Sequence, residues 1–178
     1  SEPDLEKLPW KDLDVDIAVE ATGRFESYEK ASVHLKAGAK KVVLTAPPND
    51  DERPDAKTVL IGINEVQFKG CKITSNGSCT TNSVHPVMAV MSETIGVKKA
   101  MLSTIHGYTA TQSLVDGISK GKDMRRGRAA AMNIIPSSTG ASISVAKVVD
   151  GIKGKFDGIA LRVPIIAGSV SDITFLAG

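Results

Sequence analysis

Cysteine is scarce in this sequence: Cys71 and Cys79 are the two thiols in 178 residues. Two cysteines without framework spacing in a chain of this size give no disulfide scaffold, so a reducing, cytoplasmic compartment is expected. Charge of one sign is equally short, because 22 basic against 20 acidic residues leave a formal net charge of +2. That balance implies neither a nucleic-acid nor a membrane partner. No run of 18 apolar residues is present to span a bilayer. The opening SEPDLEKLPW lacks the basic start and apolar core of a signal peptide. Internal repeats and low-complexity segments are also absent. What remains, 42% hydrophobic and 24% charged residues, is globular composition with room for one domain or parts of two.

Two styles of patterning follow one another. The apolar runs Val15 to Val19 and Val42 to Thr45 flank a helical pattern from Ser27 to Ala37 that Gly38 closes, which makes a βαβ unit. Continuously apolar strands of this kind belong to a parallel sheet covered on both faces. Each ends in a turn, Ala21-Thr22-Gly23 and Ala46-Pro47-Pro48, and ligands of open α/β sheets bind at such carboxyl ends. Further strands are expected at Val59 to Ile63 and Lys72 to Thr74, with Cys71 also in an apparent strand. Beyond Ser75 to Gly77 the pattern changes. Strand-forming stretches at Lys99 to Thr109, Gly158 to Val163 and Val170 to Leu176, with one clear helix at Ala141 to Val149, read as an antiparallel sheet backed by helices.

Between the two styles stands SNGSCTTN, Ser75 to Asn82. A lone cysteine is most often a small buried hydrophobe. Here, however, Ser78, Thr80 and Thr81 are typical of a helix start, and Val84, Val87, Met88, Met91 and Ile95 continue with amphipathic helical spacing. Cys79 then lies in the first turn, where unsatisfied N–H groups and the positive end of the helix dipole favour a negative sulfur. Pro86 is too deep for a first-turn proline, so the helix is expected to kink or restart there.

Other groups could act with that thiol. His106, inside the strand-like TIHGYT, is either a satisfied structural histidine or a general base. A cysteine and a histidine by themselves would equally suit a papain-like hydrolase. Ser137-Ser138-Thr139-Gly140 immediately precedes a helix and is either an ordinary cap or an anion site. The run MRRGRAA brings Arg125, Arg126 and Arg128 together, by default as a solvated cluster. Arg162 stands inside the apolar strand IALRVPII, where it needs an anionic partner or an exit to water. His34 and His85 carry no comparable context.

In order, SNGSCTTN, STIHGYTATQ, DMRRGRAAAMNIIPSSTGA and ALRVPIIAGSVSDIT closely resemble the motifs of phosphorylating glyceraldehyde-3-phosphate dehydrogenases. DIAVEATGRFESYEKASVHLKAGAKKVVLTAP resembles the end of that family's cofactor-binding domain. The resemblance covers essentially the whole chain. It implies an α/β part followed by an α+β part: residues 1–76 would end a Rossmann-type parallel-sheet domain, and residues 77–178 would form most of a catalytic domain with a largely antiparallel sheet and helices.

The same resemblance implies the chemistry. Cys79 would attack the aldehyde of glyceraldehyde 3-phosphate, with His106 assisting as base. Oxidation by NAD or NADP would leave a thioester, and inorganic phosphate would release it as 1,3-bisphosphoglycerate. By motif position, Thr109 and Arg162 match the substrate phosphate site. Ser78, Thr80, Thr139 and Gly140 match the inorganic phosphate site, and Arg126 lies close to both. Thr45 matches a position near the nicotinamide, with Thr22 and Gly23 in the same cleft. No metal is implied, and neither nucleic acid nor membrane is an expected partner. A glycolytic, cytoplasmic homotetramer is the family expectation for the full-length protein.

The chain departs from the family pattern in places. Gly77 replaces the usual alanine, loosening the catalytic turn. IIAGSVSD replaces TPNVSVVD, a segment that helps contacts between subunits in the family. No Gly-x-Gly-x-x-Gly follows a strand, so the pyrophosphate turn and the acidic residue that selects NAD over NADP are absent. The chain is therefore expected to be a fragment of a longer product, incomplete at its C-terminal side and inactive alone. The alternatives are erythrose-4-phosphate dehydrogenase, whose family lacks the STG at Ser138 to Gly140, a Cys-His hydrolase, and a non-catalytic binding module.

Overall fold

The structure, a computed structural model, describes residues 2–119 and 121–178. The chain divides into two compact units, Ser1–Pro86 and Val87–Gly178.

The first unit is built on four parallel strands: β1 (Ile17–Glu20), β2 (Lys41–Leu44), β3 (Ala56–Thr58) and β4 (Ile73–Ser75), in the order β1-β2-β4-β3. Register aligns their carboxyl ends, with Glu20 beside Leu44, and Ser75 beside both Leu44 and Thr58. Tyr28, Ala31, Val42, Leu44, Ala56 and Ile73 form the apolar core. Burial on β1 alternates, and Ile17 and Val19 are exposed, so the expected cover on both faces is present on only one.

The expected helix from Ser27 to Ala37 is two short ones, α1 (Tyr28–Ala31) and α2 (Val33–Lys36). Ser27 caps α1 by accepting the Lys30 N–H, and the Asp50 carboxylate accepts the N–H groups of Tyr28 and Glu29. The break falls at Ser32, whose hydroxyl donates to the Glu29 carbonyl at 2.5 Å and competes with the helical ladder. Gly38 ends the pair at φ +109°, where a Cβ would lie 2.7 Å from the Lys11 Cα.

Two further expectations shift. The strand expected at Val59 to Ile63 lies earlier, at β3, because the Asn64 side chain accepts the Leu60 N–H and donates to the Thr58 carbonyl, turning the chain where a strand would continue. Cys71 is buried after a 3-10 stretch, Glu65–Gly70, and precedes β4 instead of lying within it.

Helix α3 (Cys79–Thr94) runs through Pro86 as one helix, so of the kink or restart expected there the restart does not occur. The proline removes one ladder bond, but Val84 and Met88 on either side are fully buried, and tertiary packing outweighs the local cost. The division between the units falls within this helix, after Pro86.

The second unit contains β5 (Val97–Gly107), β6 (Ile135–Ser138), β7 (Phe156–Val163) and β8 (Ser169–Ala177), in the order β6-β7-β5-β8. β5 and β7 are parallel, while the β5–β8 and β6–β7 pairs are antiparallel, giving the largely antiparallel sheet expected. Helix α4 (Ala141–Val148) packs on β7 through a face that includes buried Ala141 and Val145. β6 contains Pro136, which an edge strand tolerates because one side of its backbone needs no ladder bond. Among the described residues no helix is long and apolar enough to cross a membrane.

Candidate functional site

The first unit gathers six of the anticipated residues at or just beyond the carboxyl end of its parallel sheet. After β4 the chain turns through Asn76 and Gly77 into α3. The Ser75 hydroxyl donates to the Ala46 carbonyl at 2.8 Å and accepts the Gly77 N–H at 3.0 Å, tying this turn to the end of β2. Gly77 has φ +71°, and a Cβ there would come within 2.8 Å of Thr81 Cγ2. At this backbone angle and spacing glycine is the unstrained choice, and a side chain would require Thr81 to shift.

Ser78 accepts the Thr81 N–H at 3.0 Å, the bond of an N-cap, and its hydroxyl pairs with Thr81 Oγ1. The Asn82 amide donates to the carbonyls of Asn76 and Ser78. These bonds fix the first turn of α3, which presents Cys79 to solvent, while Thr80 is buried beside it.

Thr22, Gly23 and Thr45 stand at the ends of β1 and β2. A cavity of about 210 Å³ lies there, lined by Glu20, Gly23, Phe25, Thr45 and Ala46 among others. Thr45 donates its N–H to the Glu20 carbonyl at 3.1 Å. Gly23, at φ +70°, has open space where a side chain would project, so backbone is accessible to a ligand. The cavity suits one ring or ribose of a dinucleotide, with an aromatic residue, a threonine and bare backbone in its wall.

Glu20, buried beneath this turn, accepts the Thr22 N–H at 2.8 Å and the Thr22 hydroxyl at 2.5 Å, and pairs with His34 Nε2 at 2.8 Å. Burial by itself would raise the Glu20 carboxyl, but the bonds from Thr22 and His34 outweigh it and hold the group below its ordinary value. Its contribution to stability is therefore complete above the ordinary carboxylate range and is lost as the pH falls through the lowered value.

In the second unit His106 and Arg162 are register partners on β5 and β7. Arg162 Nη1 lies 2.9 Å from His106 Nδ1 and donates to the Gly107 carbonyl at 3.1 Å, and that carbonyl is 2.6 Å from Nδ1. Arg162 can only donate, so its contact with Nδ1 needs the ring proton on Nε2, whereas the Gly107 contact needs it on Nδ1; in that second tautomer both side chains donate to the Gly107 oxygen and Nε2 is the basic nitrogen. Thr109 follows β5, its N–H and hydroxyl both directed to Gln112 Oε1. Of the arginine cluster, Arg125 is exposed and bidentate to Asp123, and Arg128 pairs with Asp116. Arg126 is the more buried of the three, its Nε 4.0 Å from Asp123. Thr139 accepts the Ala141 N–H at 3.2 Å, and Gly140 caps α4 without a side chain.

Sequence reasoning did not single out Glu20, His34 or Gln112. Glu20 was visible as a carboxylate closing an apolar strand, and His34 as a member of the stripe that begins with Tyr28 and Ala31. Gln112 left no signal, because its role depends on a loop conformation. Among the described residues no group of three or more His, Cys, Asp or Glu side chains could hold a metal ion.

Comparison with known proteins adds a family. The model of the glyceraldehyde 3-phosphate dehydrogenase C-terminal domain matches residues 78–177. The chain is 49% identical over 171 residues to a glyceraldehyde-3-phosphate dehydrogenase of Haloarcula vallismortis, covering 96% of this chain and 50% of that protein. It is also 49% identical over 168 residues to one of Mycobacterium tuberculosis, covering 94% and 48% respectively. A glyceraldehyde-3-phosphate dehydrogenase B of Aspergillus oryzae is 47% identical over 174 residues, covering 98% and 50%. The chain thus spans about half the length of the curated relatives it matches.

Proposed function

This chain belongs to the glyceraldehyde 3-phosphate dehydrogenase family, and from that premise we propose that the protein carrying it oxidises glyceraldehyde 3-phosphate to 1,3-bisphosphoglycerate, using inorganic phosphate and NAD or NADP. The observation that carries this reading is Cys79, solvent-exposed in the first turn of a capped helix just beyond the carboxyl end of a parallel strand. Helix-start N–H groups favour a nucleophilic sulfur there.

In the proposed reaction the Cys79 sulfur bonds to the aldehyde carbon and gives a hemithioacetal. His106 Nε2 removes the hydroxyl proton as the carbon is oxidised, leaving a thioester on Cys79. The nicotinamide supplies the hydride acceptor when bound. Inorganic phosphate then attacks the thioester carbonyl, the C–S bond breaks, and the acyl phosphate departs as the sulfur regains its electron pair. Arg162 and Thr109 hold the substrate phosphate. Ser78, Thr80, Thr139 and Gly140 hold the attacking phosphate, with Arg126 serving both. The side-chain-free helix start at Gly140 supports an anion site there.

Thr22, Gly23 and Thr45 receive the cofactor in the cavity at the ends of β1 and β2. Residues 1–76 belong to the cofactor-binding Rossmann-type domain and residues 77–178 to the catalytic one, a division supported by the family model beginning at residue 78. The protein works in cytoplasmic glycolysis as a homotetramer, by analogy with the family.

The test is nicotinamide reduction by the full-length gene product, given glyceraldehyde 3-phosphate and phosphate, with erythrose 4-phosphate as the competing aldehyde. Cys79→Ser is expected to abolish turnover, and His106→Ala to lower kcat by roughly 10²- to 10⁴-fold. Undiminished turnover in Cys79→Ser would exclude the covalent route, and preference for the four-carbon aldehyde would assign the other substrate.

A further inference from the structure

Trp10, His34, Glu20 and Thr22 form one hydrogen-bonded line that ends at the proposed cofactor cleft. Trp10 Nε1 donates to His34 Nδ1 at 3.1 Å. An indole N–H can only donate, so Nδ1 must accept and the ring proton resides on Nε2. From there it is given to Glu20 Oε2 at 2.8 Å. The other carboxylate oxygen, Oε1, accepts both the N–H and the hydroxyl of Thr22. The donors thus converge on Glu20, from Trp10 through His34 on one side and from Thr22 on the other. Glu20 and His34 are each 4% exposed, and Glu20 is also part of the cavity wall shared with Gly23 and Thr45.

We propose that Glu20 is a positioning residue for the cofactor: it fixes the Thr22-Gly23 turn at the mouth of the cleft, and Trp10 sets the polarity of the line through the tautomer of His34. This rests on the reading that Thr22 and Gly23 line the cofactor site. The argument is one of proton placement. Oε1 commits both of its interactions to a single turn, so this turn cannot reorient without leaving a buried carboxylate oxygen unsatisfied. On the other side, Oε2 needs a donor, and Trp10, by donating to Nδ1, keeps the His34 proton on Nε2 where it supplies one.

A glutamine at position 20 conflicts with this order. If its oxygen faces Thr22, its NH₂ faces His34 Nε2, and the imidazole must move its proton to Nδ1, against the Trp10 donor. If its oxygen faces His34, its NH₂ opposes the Thr22 N–H. Removing the indole donor relieves the first arrangement. A second substitution at a distance should therefore repair the first, which a merely structural role for Glu20 does not predict.

The experiment is calorimetric titration of the full-length gene product with NAD and with NADP, for the wild type and for Thr22→Val, Glu20→Gln, Trp10→Phe and the Trp10→Phe/Glu20→Gln pair. Imidazole ¹⁵N shifts of His34 are recorded alongside. Glu20→Gln is expected to weaken cofactor binding by about tenfold. Trp10→Phe should weaken it less, and the double variant should bind more tightly than Glu20→Gln alone, with the His34 proton moved from Nε2 to Nδ1. If Thr22→Val leaves affinity unchanged, the cofactor-site reading itself fails. If Thr22→Val weakens binding but Glu20→Gln does not, the positioning role is overturned. A double variant no better than Glu20→Gln overturns the part given to Trp10. An Nδ1 proton on His34 in the wild type overturns the line by itself, whether or not any variant folds.

Discussion

The turn that carries Cys79 depends on a residue with no side chain. At Gly77 the backbone has φ +71°, and Thr81, whose N–H and hydroxyl both engage Ser78, leaves no room for a Cβ. Gly77→Ala is expected to destabilise the fold by about 1–2 kcal/mol, the cost of a left-handed backbone and a close contact. It should also slow alkylation of Cys79 by iodoacetamide, because relief of the contact shifts the helix start. Thermal melts and alkylation rates check this, and an unchanged rate with an unchanged melting temperature would show that the turn absorbs the methyl group. At this scale the sequence announced the nucleophile through its neighbours, since the capping residues of a helix start are local chemistry. Glu20 and His34 were harder to see, because their meaning comes from partners 14 residues apart and from a buried environment that neither residue encodes alone.

Secondary structure was legible where periodicity and tertiary contact agree. β2, β4, β5, β7, β8 and α4 lie where the apolar patterns place them, within a few residues. The departures each trace to one side chain or one neighbour. Ser32 divides α1 from α2, Asn64 turns the chain after β3, and β6 exists because β7 offers it a ladder in spite of Pro136. Pro86 is the reverse case, a local breaker overruled by the buried residues around it. Because Pro86 is exposed and the helix is already continuous, Pro86→Ala is expected to stabilise α3 by up to about 3 kcal/mol. Chemical denaturation measures it, and a loss of stability would instead show that the helix needs the bend a proline imposes.

For the molecule as a whole, the sequence conveyed that a parallel sheet precedes a largely antiparallel one, and the structure adds the parallel β5–β7 pair and which faces are covered. In the second unit a cavity of about 1060 Å³ is lined by Met101, Ile143, Ile159 and Leu176, with Lys99, Lys147, Lys153 and Lys155 around it. All four apolar side chains are exposed along this one cavity. The 178-residue chain is expected to bind an anionic hydrophobic dye such as anilinonaphthalene sulfonate under native conditions, and Met101→Ser should reduce the signal. Absence of dye fluorescence from the folded chain would contradict an open apolar face. The order of strands in this unit also has a consequence in time. β5 is complete at Gly107, yet its neighbours β7 and β8 begin only at Phe156 and Ser169. At roughly 5–20 residues per second, a ribosome needs several seconds to deliver the first of them. During that interval the central strand, with the proposed base His106 near its end, waits without either partner, and Lys98 and Lys99 near its start are the charges that discourage a neighbouring nascent chain from pairing with it first.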